Sequence, residues 1–237
     1  PQQRPNILLI MSDDHATAAI SCYGSRLLQT PHLDRLASQG TRFTQCFATN
    51  AICSPSRAAI LTGKYGHKNG VMAFDSFDGT QATLPKYLQQ AGYHTGLVGK
   101  WHLTTEPTGF DTWRILPGQG LYHDPVFISP AAGRQKVKGY ATDLVTDYTE
   151  LRNAADFTRA VLLLTPPPGL TAEERLAWLK VKPTEVQITE NGQTTTLTGQ
   201  NLARWKYQRY MQDYLACVAS LDDNIGRLLQ YLDDSGL

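Results

Sequence analysis

Ile7-Leu8-Leu9-Ile10-Met11 is an unbroken apolar run, bounded by Pro5-Asn6 before it and Ser12-Asp13-Asp14 after it. A run with no polar alternation predicts a strand buried on both faces, as in a parallel sheet. Thr30 to Gly40 predicts a short helix with Thr30 as N-cap, Pro31 as first helical residue and Gly40 as terminator. Arg42 to Ala48 predicts a second strand, and Ser54 to Gly63 then repeats the pattern of cap, proline, helix and glycine. Leu84 to Ala91 predicts another helix, stopped by Gly92, and Tyr93 to Gly99 a strand that runs into Lys100-Trp101-His102. Further on, Thr165 to Gly169 reads as a proline-rich linker, and Thr171-Ala172-Glu173-Glu174 as a capping box opening a helix to about Lys180. Val186–Glu190 and Gln193–Leu197 flank Asn191-Gly192, a hairpin signal. From about Asn201 to Asp234 the positions Met211, Tyr214, Val218, Leu221, Ile225, Leu228 and Leu232 step by three and four. That spacing is one apolar stripe on a long helix, broken at Gly236.

Strands alternating with helices predict an α/β fold, a mostly parallel central sheet flanked by helices. Residues 1–237 read as one incomplete N-terminal α/β domain, with 165–200 as an inserted linker, short helix and hairpin; a strand is expected after Gly236, so the sequence reads as truncated at its C-terminus. In such folds reactive groups collect at the carboxyl ends of the strands, where Asp13, Asp14, Lys100 and His102 are expected.

Composition narrows the function classes. The chain has 237 residues, 41% hydrophobic and 18% charged, with a net charge of +1 and no long run of like charge. That argues against nucleic acid or an anionic membrane surface as partner. The longest apolar stretches, such as Ile7–Met11 and Ala160–Leu164, fall far short of the roughly 20 residues of a membrane span. Pro1 to Asn6 lacks a signal-peptide core and leads straight into a strand, as a secreted or periplasmic chain does once its export signal is removed. A cytoplasmic chain has the same look. Four cysteines in this length make no disulfide framework.

Cys53-Ser54-Pro55-Ser56-Arg57 is the central chemical feature. Proline places Cys53 just before a helix N-terminus, where N–H groups and the positive dipole end favour an anion. Arg57, one turn in, adds a planar multi-donor cation, and the set suits a tetrahedral oxyanion such as sulfate or phosphate. An inert buried cysteine and an activated thiolate fit the same spacing. Asp13-Asp14 reads either as hard-oxygen ligands for calcium or magnesium or as a solvated turn. Lys100 and His102, two apart on a strand end, point the same way, so one can hold an anion while the other moves a proton; surface decoration is the plainer reading.

At these residues the chain resembles the type I sulfatases of the alkaline-phosphatase-like superfamily. The matching stretches are RPNILLIMSDDH, TPHLDRLASQGTRFTQCFATNAICSPSRAAILTGKYGHKNGV, AGYHTGLVGKWHL and RWKYQRYMQDYLACVASLDDNIGRLLQYLDDSGL, about half the chain. The Cys-x-Pro-x-Arg element followed by Leu-Thr-Gly-Lys is highly specific. The resemblance implies that a separate formylglycine-generating enzyme oxidises Cys53 to formylglycine, whose aldehyde hydrate attacks sulfur and then releases sulfate. It matches Asp13 and Asp14, with residue 53 itself, to calcium ligands. Arg57 is matched to the residue steadying the hydrate, His102 to its hydrogen-bonding partner, and Lys100 to a sulfate-binding cation. Lys64 has no such match and is expected to be structural. Gly109 to Trp113 and Leu116 to Gly120 look like sulfatases of carbohydrate sulfates, nearest to the N-acetylglucosamine-6-sulfatases of glycosaminoglycan breakdown.

Two departures accompany the resemblance. Family members carry, after a segment like Tyr140-Ala141-Thr142-Asp143, a strand ending in a lysine and a Pro-His pair. Here Glu150 to Ala154 reads as passing into a helix-like stretch, with no such strand or pair. The family's remaining calcium ligands and a further lysine follow a helix like 201–234, beyond Leu237. The implied protein is a sulfatase whose polypeptide here is incomplete and inactive alone. Two rivals stay open: a formylglycine-dependent phosphonate or phosphodiester hydrolase, and a non-catalytic binder of sulfated glycans.

Overall fold

Ile7–Met11 forms strand β1, and it pairs in parallel with a strand more than 140 residues away, Arg159–Leu164. A computed structural model of the chain describes residues 4–150, 159–164, 185–190 and 192–236. Along the chain come helices α1 (Pro31–Gln39), α2 (Cys53–Thr62), α3 (Gly66–Asn69) and α4 (Leu84–Gln90). Strands β2 (His94–Lys100), β3 (Thr112–Leu116), β4 (Val126–Ser129) and β5 (Gly133–Lys136) follow, then helix α5 (Ala141–Glu150). After them come β6 (Arg159–Leu164), the hairpin β7 (Glu185–Glu190) and β8 (Gln193–Thr198), and helix α6 (Gly199–Ser235).

The main sheet has the order β1-β6-β2-β3-β4-β5, with β1, β6, β2 and β3 parallel and β4 and β5 antiparallel at the far edge. Alternate side chains of its strands feed two cores. On one face Leu97, Trp113 and Ile115 pack with Ala58 and Leu61 of α2 and with Val71, Phe77, Trp101 and Leu103. On the other, Val98, Leu116 and Phe127 pack with Val145 of α5 and Leu228 of α6, joined by Leu8 and Ile10. Helices on both faces of a mostly parallel sheet are the α/β architecture expected. The α6 stripe is buried at Val218, Leu221, Ile225 and Leu228, the half that crosses α1 and α5. A Cβ at Gly226 would lie 2.5 Å from the His32 ring, so this glycine is what lets α6 approach α1 so closely.

Several expectations need correction. β1 is an edge strand among the described residues, with Ile7 and Leu9 each 38% exposed, because only β6 pairs with it. Arg42–Ala48 forms no strand; it is irregular and exposed, tied by Tyr23 Oη donating to the Phe43 carbonyl and by Arg42 stacked on the Tyr23 ring. Among the described residues no strand pairs with it. The stretch after Glu150 does contain a strand: β6, which includes the apolar run Ala160–Leu164, lies inside the sheet between β1 and β2. It carries no lysine, and Thr165-Pro166 follows it in the sequence. Thr30 and Ser54 do not cap their helices through their hydroxyls. The hairpin forms as its Asn-Gly signal predicts, while the linker and the helix expected over 171–180 lie outside the described residues. All four cysteines are free thiols.

Candidate active site

The parallel register brings the site together. Met11 of β1 and Gly99 of β2 both stand level with Leu164 of β6, so Asp13 and Lys100 emerge just past the same edge, on either side of that strand. Gly99 has φ 109°, a conformation open to glycine but strained for other residues. It turns the chain as β2 ends. Asp14 and His102, at φ 52° and 54°, hold the left-handed region without being glycine, and such strain gathers where geometry is needed for function. Facing them is the start of α2. Cys53 is its first helical residue and Ile52 its N-cap, with no side chain capping the end. Arg57 comes four residues later, on the same helix face as Cys53.

These groups touch. Cys53 Sγ lies 3.0 Å from His102 Nδ1. Arg57 Nη2 donates to Asp13 Oδ2 at 2.8 Å and its Nη1 to the Lys100 carbonyl at 2.5 Å. Lys100 Nζ lies 2.9 Å from the same Asp13 oxygen and donates to Gln119 Oε1 at 2.6 Å. Ser54 Oγ donates to the His102 carbonyl at 2.7 Å, which fixes the strained residue from the helix side. Arg57 and Lys100 are buried and Asp13 nearly so. Burial alone would raise the Asp13 carboxyl pKa, but Lys100 and then Arg57 outweigh it and hold the group below the usual carboxylate range. Burial lowers the Arg57 pKa, against the pull of Asp13. Desolvation, with Lys100 and Arg57 nearby, takes the His102 imidazole down to about 4, so it is neutral near pH 7.

Five of the six residues singled out in the sequence make contacts at this edge: Asp13, Arg57 and Lys100 form one charge cluster, and Cys53 and His102 a contact pair beside it. Asp14 is exposed at the margin. Lys64 stands apart, its ammonium donating to Gln81 Oε1 at 3.4 Å. Sequence reasoning passed over Gln119, in the Gly-Gln-Gly turn after β3, and read Ser54 only as a cap. Asp13 and Asp14 suit calcium in kind, being hard oxygen donors. They do not suffice in number, since calcium takes about 6–8 oxygens. Among the described residues no group of three His, Cys, Asp or Glu side chains is gathered to hold a metal. A cation held by these two carboxylates would need more donors than the described residues gather around them.

Comparison with known proteins bears on the family and the fold. The Sulfatase family model matches residues 5–237. An N-acetylglucosamine-6-O-sulfatase of Bacteroides thetaiotaomicron is 40% identical, over 99% of this chain and 56% of its own length. The alignment runs over 314 positions, more than the 237 residues here, so that relative carries residues inside the matched span that have no counterpart in this chain. An N-acetylgalactosamine-6-O-sulfatase of the same organism is 41% identical over 54% of this chain and 27% of its own. A solved structure described as in complex with its substrate D-glucosamine-2-N,6-O-disulfate superposes with a TM-score of 0.84 at 36% identity, covering 99% of this chain and 63% of that one. The chain thus spans little more than half the length of the relative it matches throughout. With the Cys-x-Pro-x-Arg element seated against a strained histidine at the edge of a parallel sheet, the chain belongs to the sulfatase family.

Proposed function

We propose that the whole protein is a calcium-dependent sulfuric ester hydrolase that removes sulfate from a sulfated carbohydrate, an N-acetylglucosamine 6-sulfate being the best match, with Cys53 converted to formylglycine. The observation that carries this reading is the seating of Cys53 at the uncapped start of α2, 3.0 Å from His102 and beside the Arg57–Asp13–Lys100 cluster. Formylglycine supplies a hydrated aldehyde as nucleophile and a way to let sulfate go. The neutral His102 ring holds or moves a proton at the side chain of residue 53. Arg57 and Lys100 against Asp13 leave one surplus positive charge, which Asp14 cancels. Asp13, Asp14 and residue 53 would be the ligands this chain offers to a divalent cation, which would supply the positive surplus that a sulfate monoester needs. The similarity to sulfatases of 6-sulfated amino sugars supports the substrate class. The reading also includes a separate maturation enzyme and a secreted or periplasmic location; no described helix is long and apolar enough to cross a membrane.

Two measurements on the complete protein from its native host test it. A peptide map is expected to show the Cys53 peptide at the mass of the aldehyde. Sulfate release from N-acetylglucosamine 6-sulfate is expected to fall by more than about a thousandfold in Cys53→Ala. A thiol at residue 53 together with calcium-dependent binding and no turnover would make the protein a glycan binder. A large preference for an aryl phosphate ester over an aryl sulfate would move it to phosphorus chemistry.

A further inference from the structure

Phe74 is an exposed aromatic in an otherwise fixed setting. It is 59% exposed, and its ring centroid lies 5.8 Å from that of His102, the residue in contact with Cys53. The turn that carries it is pinned at both ends, by Val71 and Phe77, both buried in the core under α2. Between these anchors one carboxylate oxygen of Asp75 accepts the backbone N–H groups of Met72 and Ala73, at 2.9 and 3.1 Å. Asn50 Nδ2 donates to the Met72 carbonyl at 3.0 Å, and the hydroxyls of Ser76 and Thr104 meet at 3.0 Å. Phe77 is seated edge-on against Trp101, next in sequence to His102. The turn and the histidine are thus held by one framework. A large apolar ring left in water on a rigid support costs hydration free energy that the fold does not recover. Its neighbour on one side is the imidazole; the face left open is available to whatever enters the site.

We infer that Phe74 is a specificity-determining residue, an aromatic wall that packs against the apolar C–H face of the substrate's sugar ring while the charged cluster receives the sulfate. The inference rests on the proposed function for its substrate class. A pyranose presents C–H groups on its ring faces and hydroxyls around its rim. An aromatic ring on a stiff turn therefore selects a sugar over a bare anion at small entropic cost.

The test is calorimetric binding to full-length protein carrying Cys53→Ala, with Phe74 retained or changed to Ala or Trp. The probes are N-acetylglucosamine 6-sulfate and inorganic sulfate. Phe74→Ala is expected to weaken the sugar sulfate about three- to tenfold and leave inorganic sulfate unchanged, while Phe74→Trp keeps the sugar affinity. Equal affinities for the sugar in Phe74 and Phe74→Ala proteins, or an equal loss for both probes, would overturn the wall. So would absence of sugar binding to the Phe74 protein. Turnover by the Cys53 enzyme, measured in parallel, separates the two claims. Sulfate release without a Phe74 effect defeats only this inference, and a Phe74-dependent affinity without turnover defeats only the hydrolase.

Discussion

Helices α1 and α2 both carry a small hydroxyl residue followed by proline at the N-cap or within the first turn, and both stop at glycine, yet their first turns are used in opposite ways. At α1 the N–H groups of His32 and Leu33 are taken by the buried carboxylate of Asp222, at 3.2 and 2.8 Å, reaching in from α6. The Thr30 hydroxyl is diverted to Ser21. At α2 no side chain caps the end, and Cys53 occupies it. That helix is held from inside instead, through Arg57 on Asp13 and the Lys100 carbonyl. One helix start serves as a tertiary anchor and the other is left without a side-chain cap. The difference is set by what lies opposite in the fold, because the local signals are nearly the same.

The contrast can be broken at its strongest point first. Asp13→Asn leaves the buried Arg57 and Lys100 without their shared counter-charge, and is expected to cost about 3–5 kcal/mol in urea unfolding. An unchanged midpoint would mean α2 is not anchored through that pair. Asp222→Ala should cost less, about 1–3 kcal/mol, because it strips two N–H groups of a buried acceptor. It should leave kcat for sulfate release intact; a loss of kcat without a loss of stability would show that α1 takes part in the chemistry. The smallest effect is expected away from both helices, at Asp111. Burial, the largest single influence, raises that carboxyl, but the Thr95 N–H, Gln89, the Thr95 hydroxyl and His94 together lower it overall. A depressed folded-state pKa contributes stability above the unfolded value of about 3.9, lost as pH falls through the folded one. Asp111→Asn should thus lower Tm slightly at neutral pH, with the gap to the parent protein closing in acid. A gap that persists below both pKa values would assign the effect to packing.

Much of the chemistry was legible because it is written locally. Cys53, Pro55 and Arg57 sit within little more than one helical turn, and the Asp13-Asp14 and Lys100-Trp101-His102 clusters lie at the ends of segments legible as strands. What escaped depends on distant partners. Ala160–Leu164 gives no periodicity of its own, and its place inside the sheet follows from β1 and β2 on either side. Arg42–Ala48 has strand-like residues, but among the described residues no strand pairs with it. Gln119 and Phe74 matter only because the fold carries Lys100 and His102 to them. Gly226, inside a helix that would favour alanine, was the one overlooked local sign of a close helix crossing.

The insertion of β6 between β1 and β2 governs the order in which the protein can be assembled. Two strands emerging early from the ribosome, Ile7–Met11 and His94–Lys100, cannot take their final spacing until Arg159–Leu164 has been made and slotted between them. Asp13 and Lys100 bridge across its end, so the charge cluster is among the last contacts to close. Pairings this distant carry a high loop-closure entropy and make for slow folding. Until β6 arrives, the nascent β1 is an apolar strand with both edges unpaired, the segment of the growing chain most exposed to wrong partners and to chaperones.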